Sequence, residues 1–289
     1  EGSRMFIEVD SEVSVNSLLN GMIIQSGNDA SVALAEHIYG SEASFVSQMN
    51  IFAEKLELTD TSFGNVTGLP EKETYTTAKD IVNLSQKLIY EFPEIYKRFS
   101  IESYKFNNIM QRNRNILLQK SRFVDGIKTG YTESADYCLV SSGDNGSIRL
   151  IAAVIGAKTN KARFRDTKAL LDYGFRFFES KRLFEKSSAI RKLKVWEGEN
   201  DEIEVGSVRD IFALRPAGYS QPVDFDIVVD NKLRAPIKKG EKLGEIVVKN
   251  YGEKNAIHDL IALEDVFEGG FFKRAIDSVL IYFEEDKHE

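Results

Sequence analysis

A chain of 289 residues, 42% hydrophobic and 29% charged, has the composition of a folded protein with room for about two domains, which excludes a disordered, collagenous or low-complexity chain. With 38 Lys and Arg against 45 Asp and Glu its formal charge is −7, so nonspecific nucleic-acid binding is not expected. The single cysteine, Cys138, excludes an internal disulfide and a cysteine-based zinc site.

The chain enters at Met5-Phe6-Ile7, an apolar strand-like run with no lead-in and no signal-peptide pattern. Leu18, Leu19, Met22 and Ile23 then recur at helical spacing, predicting a helix over Val15–Ile24 with Ser14 or Asn16 as its cap. Further helices are expected over Asp29–Tyr39, closed by Gly40, over Glu42–Leu56 and over Thr77–Tyr90. From Arg122 the pattern turns to strands: Phe123–Tyr131, Tyr137–Ser142 and Ile148–Ala157, with Gly143-Asp144-Asn145-Gly146 as a hairpin signal. A helix over Lys161–Phe178 follows. Helices, then an antiparallel sheet, then a closing helix make an α+β arrangement.

After Glu179 the texture changes again. Pro216, Pro222 and Pro236 fall here, Val223–Val229 alternates with period two before a turn at Asp230 and Asn231, and Lys238–Val248 reads as turn then strand. This predicts a separate small all-β domain. From Gly269, Phe271, Phe272, Ala275, Ile276, Val279, Leu280 and Phe283 form one broad apolar helical face, which must dock on the β domain, on a partner or at a bilayer interface. No apolar run reaches the roughly 18 residues a membrane span needs. His37, His258 and His288 stand far apart and none lies in an H-E-x-x-H pattern, so neither a metal nor a cofactor is expected.

Two tripeptides carry the chemistry. Ser26-Gly27-Asn28 lies at a junction between predicted helices, where an ordinary turn and cap would also fit. Lys128-Thr129-Gly130 lies in the strand-like run Val124–Thr132, where a solvated lysine would also fit. Together they match two of the three motifs (S-x-x-K, S-D-N and K-T-G) that mark penicillin-binding proteins and class A β-lactamases, with Gly in place of Asp in the second. With Gly2–Phe6, Gln25–Ala30, Asn113-Arg114-Asn115, Val124–Gly130 and Tyr173–Phe178, the chain resembles the D-alanyl-D-alanine carboxypeptidases, the low-molecular-mass penicillin-binding proteins, from Gly2 to Phe272.

That resemblance implies a β-lactamase/transpeptidase-like catalytic domain over 1–178, a small β-rich domain over 179–268 and an amphipathic C-terminal helix over 269–289. It implies removal of the terminal D-Ala from a peptidoglycan stem peptide through an acyl-enzyme, with β-lactams as inhibitors. Such a reaction needs a nucleophile and base, oxyanion donors, a proton path to the leaving amine and a cation for the substrate carboxylate. By resemblance, Ser26 is the proton-relay hydroxyl and Asn28 binds the substrate amide carbonyl, with Gly27 between them. Lys128 supplies positive charge, Thr129 a hydroxyl for the carboxylate, and Gly130 close approach to the strand edge. Tyr131, standing where many relatives carry histidine, offers its N–H to the oxyanion as the peptide pairs with the strand. Arg163 would bind the terminal carboxylate and Arg114 support the wall, since a guanidinium fork matches a carboxylate. Cys138 is most simply a small buried apolar residue.

The remaining motif is absent: no serine in the chain is followed three positions later by lysine. The expectation is therefore that the catalytic domain lacks the segment holding its nucleophile and base, and that this segment alone does not acylate. A β-lactamase or D,D-endopeptidase on the same scaffold, or a non-catalytic penicillin-binding scaffold protein, are the competing readings. The resemblance also implies a bacterial periplasmic location, with the C-terminal helix on the outer face of the cytoplasmic membrane, although Glu284-Glu285-Asp286 would set acid beside anionic lipid.

Overall fold

The computed structural model describes residues 2–219, 221–229, 232–250 and 253–285. Its internal contacts divide the chain into two units, Glu1–Arg176 and Phe177–Glu289.

The first unit opens with an irregular segment, not the expected strand. Met5, Phe6 and Ile7 donate their amides at 2.9, 2.9 and 3.1 Å to the Asp29 carboxylate instead of to a β-ladder. Helix α1 (Val15–Asn20) is capped by Ser14, which accepts from Ser17 N at 3.2 Å. The single helix expected to Ile24 instead widens at Gly21–Gln25 into a π-helical turn that ends on Ser26. Then come α2 (Asn28–Tyr39), closed by left-handed Gly40, and α3 (Glu42–Lys55), capped by Ser41. The apolar face expected on α3 lines a surface groove of about 450 Å³ with Tyr39, Phe63 and Leu84. Thr77 is the cap of α4 (Ala78–Glu91) and not its first residue.

The short α5 (Pro93–Tyr96) and a 3₁₀ turn (Lys97–Ser100) lead into a hairpin that the periodicity did not signal, β1 (Ser103–Phe106) and β2 (Ile109–Arg112). After α6 (Leu117–Lys120), three antiparallel strands form a sheet in the order β3-β4-β5: β3 (Val124–Thr132), β4 (Asp136–Asp144) and β5 (Arg149–Ala157). Alternation along these strands feeds two cores. Leu139, Leu150 and Ala152 pack with Phe164, Leu171 and Phe175 of α7 (Asn160–Phe177), while Val140 and Ile151 pack with Leu88, Ile89 and Tyr96. The sheet is thus covered by α7 on one face and by α4 and α5 on the other. Among the described residues β3 pairs only with β4, which leaves it an edge strand.

The second unit follows α7 without a loop. Strands β6 (Phe178–Phe184) and β9 (Ile211–Pro216) form a two-stranded ribbon. A five-stranded sheet has the order β10-β11-β12-β8-β7, built from β7 (Arg191–Lys194), β8 (Glu202–Gly206), β10 (Phe225–Val228), β11 (Lys242–Asn250) and β12 (Glu253–Ala262). Ile203, Val205, Ile246, Val248 and Leu260 fill its core. The turn expected at Asp230 and Asn231 lies outside the described residues.

Helix α8 (Phe271–Glu285) carries the predicted amphipathic pattern, and its docking face is the polar one. Buried Asp277 accepts from Glu197 N at 2.7 Å and pairs with Lys273, which also reaches Asp201; Arg274 pairs with Glu268 at 2.6 Å, and Ile281 is buried. Phe271 and Phe272 remain 81% and 82% exposed, with Ile276, Val279, Leu280, Tyr282 and Phe283 also outward. Asp286 and His288 lie outside the described residues, as does the end of the expected 269–289 helix. No helix among the described residues is long and apolar enough to cross a membrane.

Candidate active site

The π-helical turn hands the chain to Ser26 in a left-handed conformation, φ 61° and ψ 42°. A non-glycine residue in that region is uncommon and strained, and such conformations cluster at functional sites. The turn is held by Gly27 N to Gly21 O at 3.0 Å and by Asn28 N to Ser3 O at 2.8 Å. Gly27 is closely packed: an added Cβ would lie 3.0 Å from Asp29 Oδ1 and 3.1 Å from Met5 N, so a neighbour would have to give by a few tenths of an ångström. Asn28 opens α2, and its side-chain amide lies against Gly2, where a Cβ would come within 2.5 Å of Nδ2.

Facing this turn is β3. Lys128 Nζ donates to Ser26 Oγ across 102 residues of sequence, and to Thr129 O at 3.0 Å. Burial, first, and then the positive charges of Arg114 and Arg163 push the Lys128 ammonium from 10.5 down to about 8. Thr129 is buried beside it. Arg114 is exposed and donates from Nε to Gln25 O at 3.2 Å, bracing the end of the π-helical turn.

Arg163, on α7, is 7% exposed and bound to backbone: Nη1 donates to Gly130 O at 2.9 Å and to Cys138 O at 3.3 Å. Burial lowers its pKa, and its Nε is buried without a partner. Gly130 is exposed, with Cys138 Cβ at an ordinary 3.7 Å from where its own Cβ would be. Tyr131 is 56% exposed and stacks on Tyr137. Cys138 is half-buried, not fully buried as expected, its Sγ donating to Ala135 O at 3.4 Å.

Ser26, Gly27 and Asn28 are therefore brought to one side of β3, and Lys128 joins the two motifs. Arg114 braces the first motif and Arg163 the second. Sequence reasoning missed the supports. Asp29 accepts four backbone amides, the fourth from Ala30 at 3.0 Å, and so fastens residues 5–7 to the N-terminus of α2, where the helix dipole favours a carboxylate. Gln111 Nε2 donates to Met5 O at 2.9 Å. Asn115 and Ser141 both donate to Gly126 O, at 2.9 and 2.7 Å. Near the start of β3, Asp125 accepts from Tyr96 and Arg149, at 2.8 and 2.7 Å. Asp29 carried a signal as a helix-start acid; the others are polar residues whose partners lie far away in sequence. Among the described residues no group of His, Cys, Asp and Glu is placed to hold a metal ion.

Helices packed on both faces of an antiparallel sheet, an edge strand bearing Lys128-Thr129-Gly130 against a Ser26-Gly27-Asn28 turn, and an all-β unit after them define the penicillin-binding-protein fold. The family model for D-alanyl-D-alanine carboxypeptidase matches residues 1–159, and that for the penicillin-binding protein 5 C-terminal domain matches residues 178–268. The chain belongs to the D-alanyl-D-alanine carboxypeptidase family. It is 40% identical over 285 residues to D-alanyl-D-alanine carboxypeptidase DacC of Escherichia coli, covering 98% of this chain and 71% of that protein. It is 38% identical over 276 residues to DacF of Bacillus subtilis, covering 93% and 71%. The crystal structure of penicillin binding protein 5 from Haemophilus influenzae superposes with a TM-score of 0.82 at 37% identity, over 93% of this chain and 79% of that one. Members are hydrolases that act on the D-Ala-D-Ala end of peptidoglycan peptides and bind β-lactams, and the α+β expectation holds with the fold.

Proposed function

We propose that Ser26, Asn28 and Lys128 are the catalytic side chains of this segment, working beside a nucleophile of the S-x-x-K type that is not among these 289 residues. The observation that carries the reading is the hydrogen bond from Lys128 to Ser26. It makes the serine hydroxyl an element of a proton path and sets the ammonium where a substrate carboxylate would arrive. Asn28 binds the amide carbonyl of the stem peptide. The peptide lies along the open edge of β3, with Gly130 giving close approach and Tyr131 N–H donating to the oxyanion. Thr129 and Arg163 take the terminal carboxylate. With Nη1 committed to Gly130 and Cys138, Arg163 does so through Nη2, while Arg114 adds charge and holds the wall.

The experiment is fluorescent-penicillin labelling with intact-mass measurement, run on the full-length protein and on residues 1–289 alone. The full-length protein takes one label, and Ser26→Ala slows its labelling about 100-fold, the scale for losing one participant in the charge-developing step. The segment alone takes none. A covalent adduct on the 32.7 kDa chain would overturn the placement of the nucleophile outside it. A full-length protein that takes no label would favour the scaffold reading.

In this reading the catalytic work falls to residues 1–178, and 179–268 with the helix beyond carry the enzyme to its substrate. The protein works in the bacterial periplasm, and α8 rests on the outer face of the cytoplasmic membrane. The outward row of Phe271, Phe272, Ile276, Val279, Leu280 and Phe283 supports that placement.

A further inference from the structure

Where β3 turns into β4, directly after Lys128-Thr129-Gly130, the structure builds a column of three flat groups. Tyr131 and Tyr137 are cross-strand partners, their ring centroids 4.4 Å apart with 32° between planes. The Arg163 guanidinium carbon lies 5.4 Å from the Tyr137 ring and 4.8 Å from that of Phe164. Tyr137 is thus in contact with both Tyr131 and Arg163. Residues two apart on a strand share a face, so Tyr131 stands on the same face as Thr129. One side of the Tyr131 ring rests on Tyr137, and 56% of the residue is open to solvent.

We propose that this column is a specificity device: an aromatic platform that sets which group the site accepts next to a ligand's carboxylate. Tyr131 is the surface the ligand meets. Tyr137 is a positioning residue that backs Tyr131 and, through its face, fixes Arg163. The inference rests on the reading of Thr129 and Arg163 as the carboxylate pocket. A planar ring attached beside the carboxylate gains an offset-stacked or edge contact with Tyr131, which a methyl group in the same place makes only weakly. The site therefore favours β-lactams with an aromatic ring at that position over those with a methyl. Stacking of this kind is worth about 0.5–1.5 kcal/mol, between roughly twofold and tenfold in affinity.

The test compares two β-lactams identical except for methyl or phenyl beside the carboxylate-bearing ring. Reversible affinities are taken by calorimetry and acylation rates by stopped flow, on the full-length protein and on Tyr131→Phe, Tyr131→Ala and Tyr137→Leu. Tyr131→Phe keeps the preference for the phenyl compound. Tyr131→Ala lowers the ratio of phenyl to methyl affinity about fivefold. Tyr137→Leu lowers the ratio and also raises KM for a D-Ala-D-Ala peptide several-fold, with kcat held. A merely structural role would weaken both compounds alike and leave the ratio unmoved; an unchanged ratio in Tyr131→Ala overturns the platform. A protein that binds both compounds with the expected ratio but neither acylates nor cleaves the peptide supports the platform and overturns the carboxypeptidase reading instead.

Discussion

At Lys128 burial and two neighbouring guanidinium groups oppose the charge, holding the group at about 8 against 10.5 in the open chain. The sign follows from proton counting. Between those two values the unfolded chain binds the proton and the folded chain does not, so stability rises as pH climbs from about 8 toward 10.5. Below about 8 both states are protonated and the folded state carries the full penalty. Lys128→Met is therefore expected to raise Tm at pH 7 and to flatten that alkaline rise, as read by thermal unfolding at several pH values. A bound carboxylate restores charge to Lys128, so peptide binding near pH 8 takes up protons and weakens as pH rises further; calorimetry in two buffers of different ionisation heat measures this. Asp29 is instead surrounded by donors, accepting from the backbone N–H groups of Met5, Phe6, Ile7 and Ala30. Asp29→Asn replaces one of the two accepting oxygens by an NH2 donor that faces backbone N–H groups, and is expected to lower stability by about 2–3 kcal/mol in urea unfolding at pH 7. The Ser26-Gly27-Asn28 and Lys128-Thr129-Gly130 segments of the candidate site were legible because motif and spacing carry them. Asp29, Asn115 and Ser141 were not, because a single polar side chain does not encode a partner many residues away.

Among the elements, the long helices and the three strands of the first sheet follow from hydrophobic period. What the period hides is the change of pitch at Gly21–Gln25, since a π-helical turn keeps an apolar row much like that of an α-helix. The β1–β2 hairpin escaped notice because each strand has four residues. Its one local sign is Asn107-Asn108, both at positive φ (45° and 61°), as a tight hairpin turn requires. Helix α8 reverses the usual expectation for an amphipathic helix, which docks by its apolar side. Here an ion-pair stripe does the docking, and Asp277 is its centre. Asp277→Ala leaves Glu197 N without its buried acceptor, while Lys273 keeps Asp201, and is expected to loosen the helix by about 1–2 kcal/mol. Hydrogen exchange over 271–285 would speed up while the amides of β8 and β12 stay protected.

For the molecule as a whole, the two units have separate cores, one on the β3-β4-β5 sheet and one inside the five-stranded sheet. Deleting the residues after Gly269 removes the outward aromatic row without touching Ser26 or Lys128. Liposome flotation of the full-length protein and of this truncation is expected to show binding lost with the helix, while penicillin labelling is retained. Equal flotation would place membrane contact elsewhere or nowhere.

The open side of β3 has a second consequence. An unpaired edge recruits any extended chain, including the same strand of another copy, and folded proteins guard such edges with inward-facing charge. Lys128 lies within β3, with Arg114 and Arg163 near enough to act on its charge. Pairing two copies edge to edge would set one cationic cluster against another, whereas a peptide ending in a carboxylate brings the compensating charge with it. In a chain of net charge −7, the local positive charge at the site thus also discriminates between its ligand and itself.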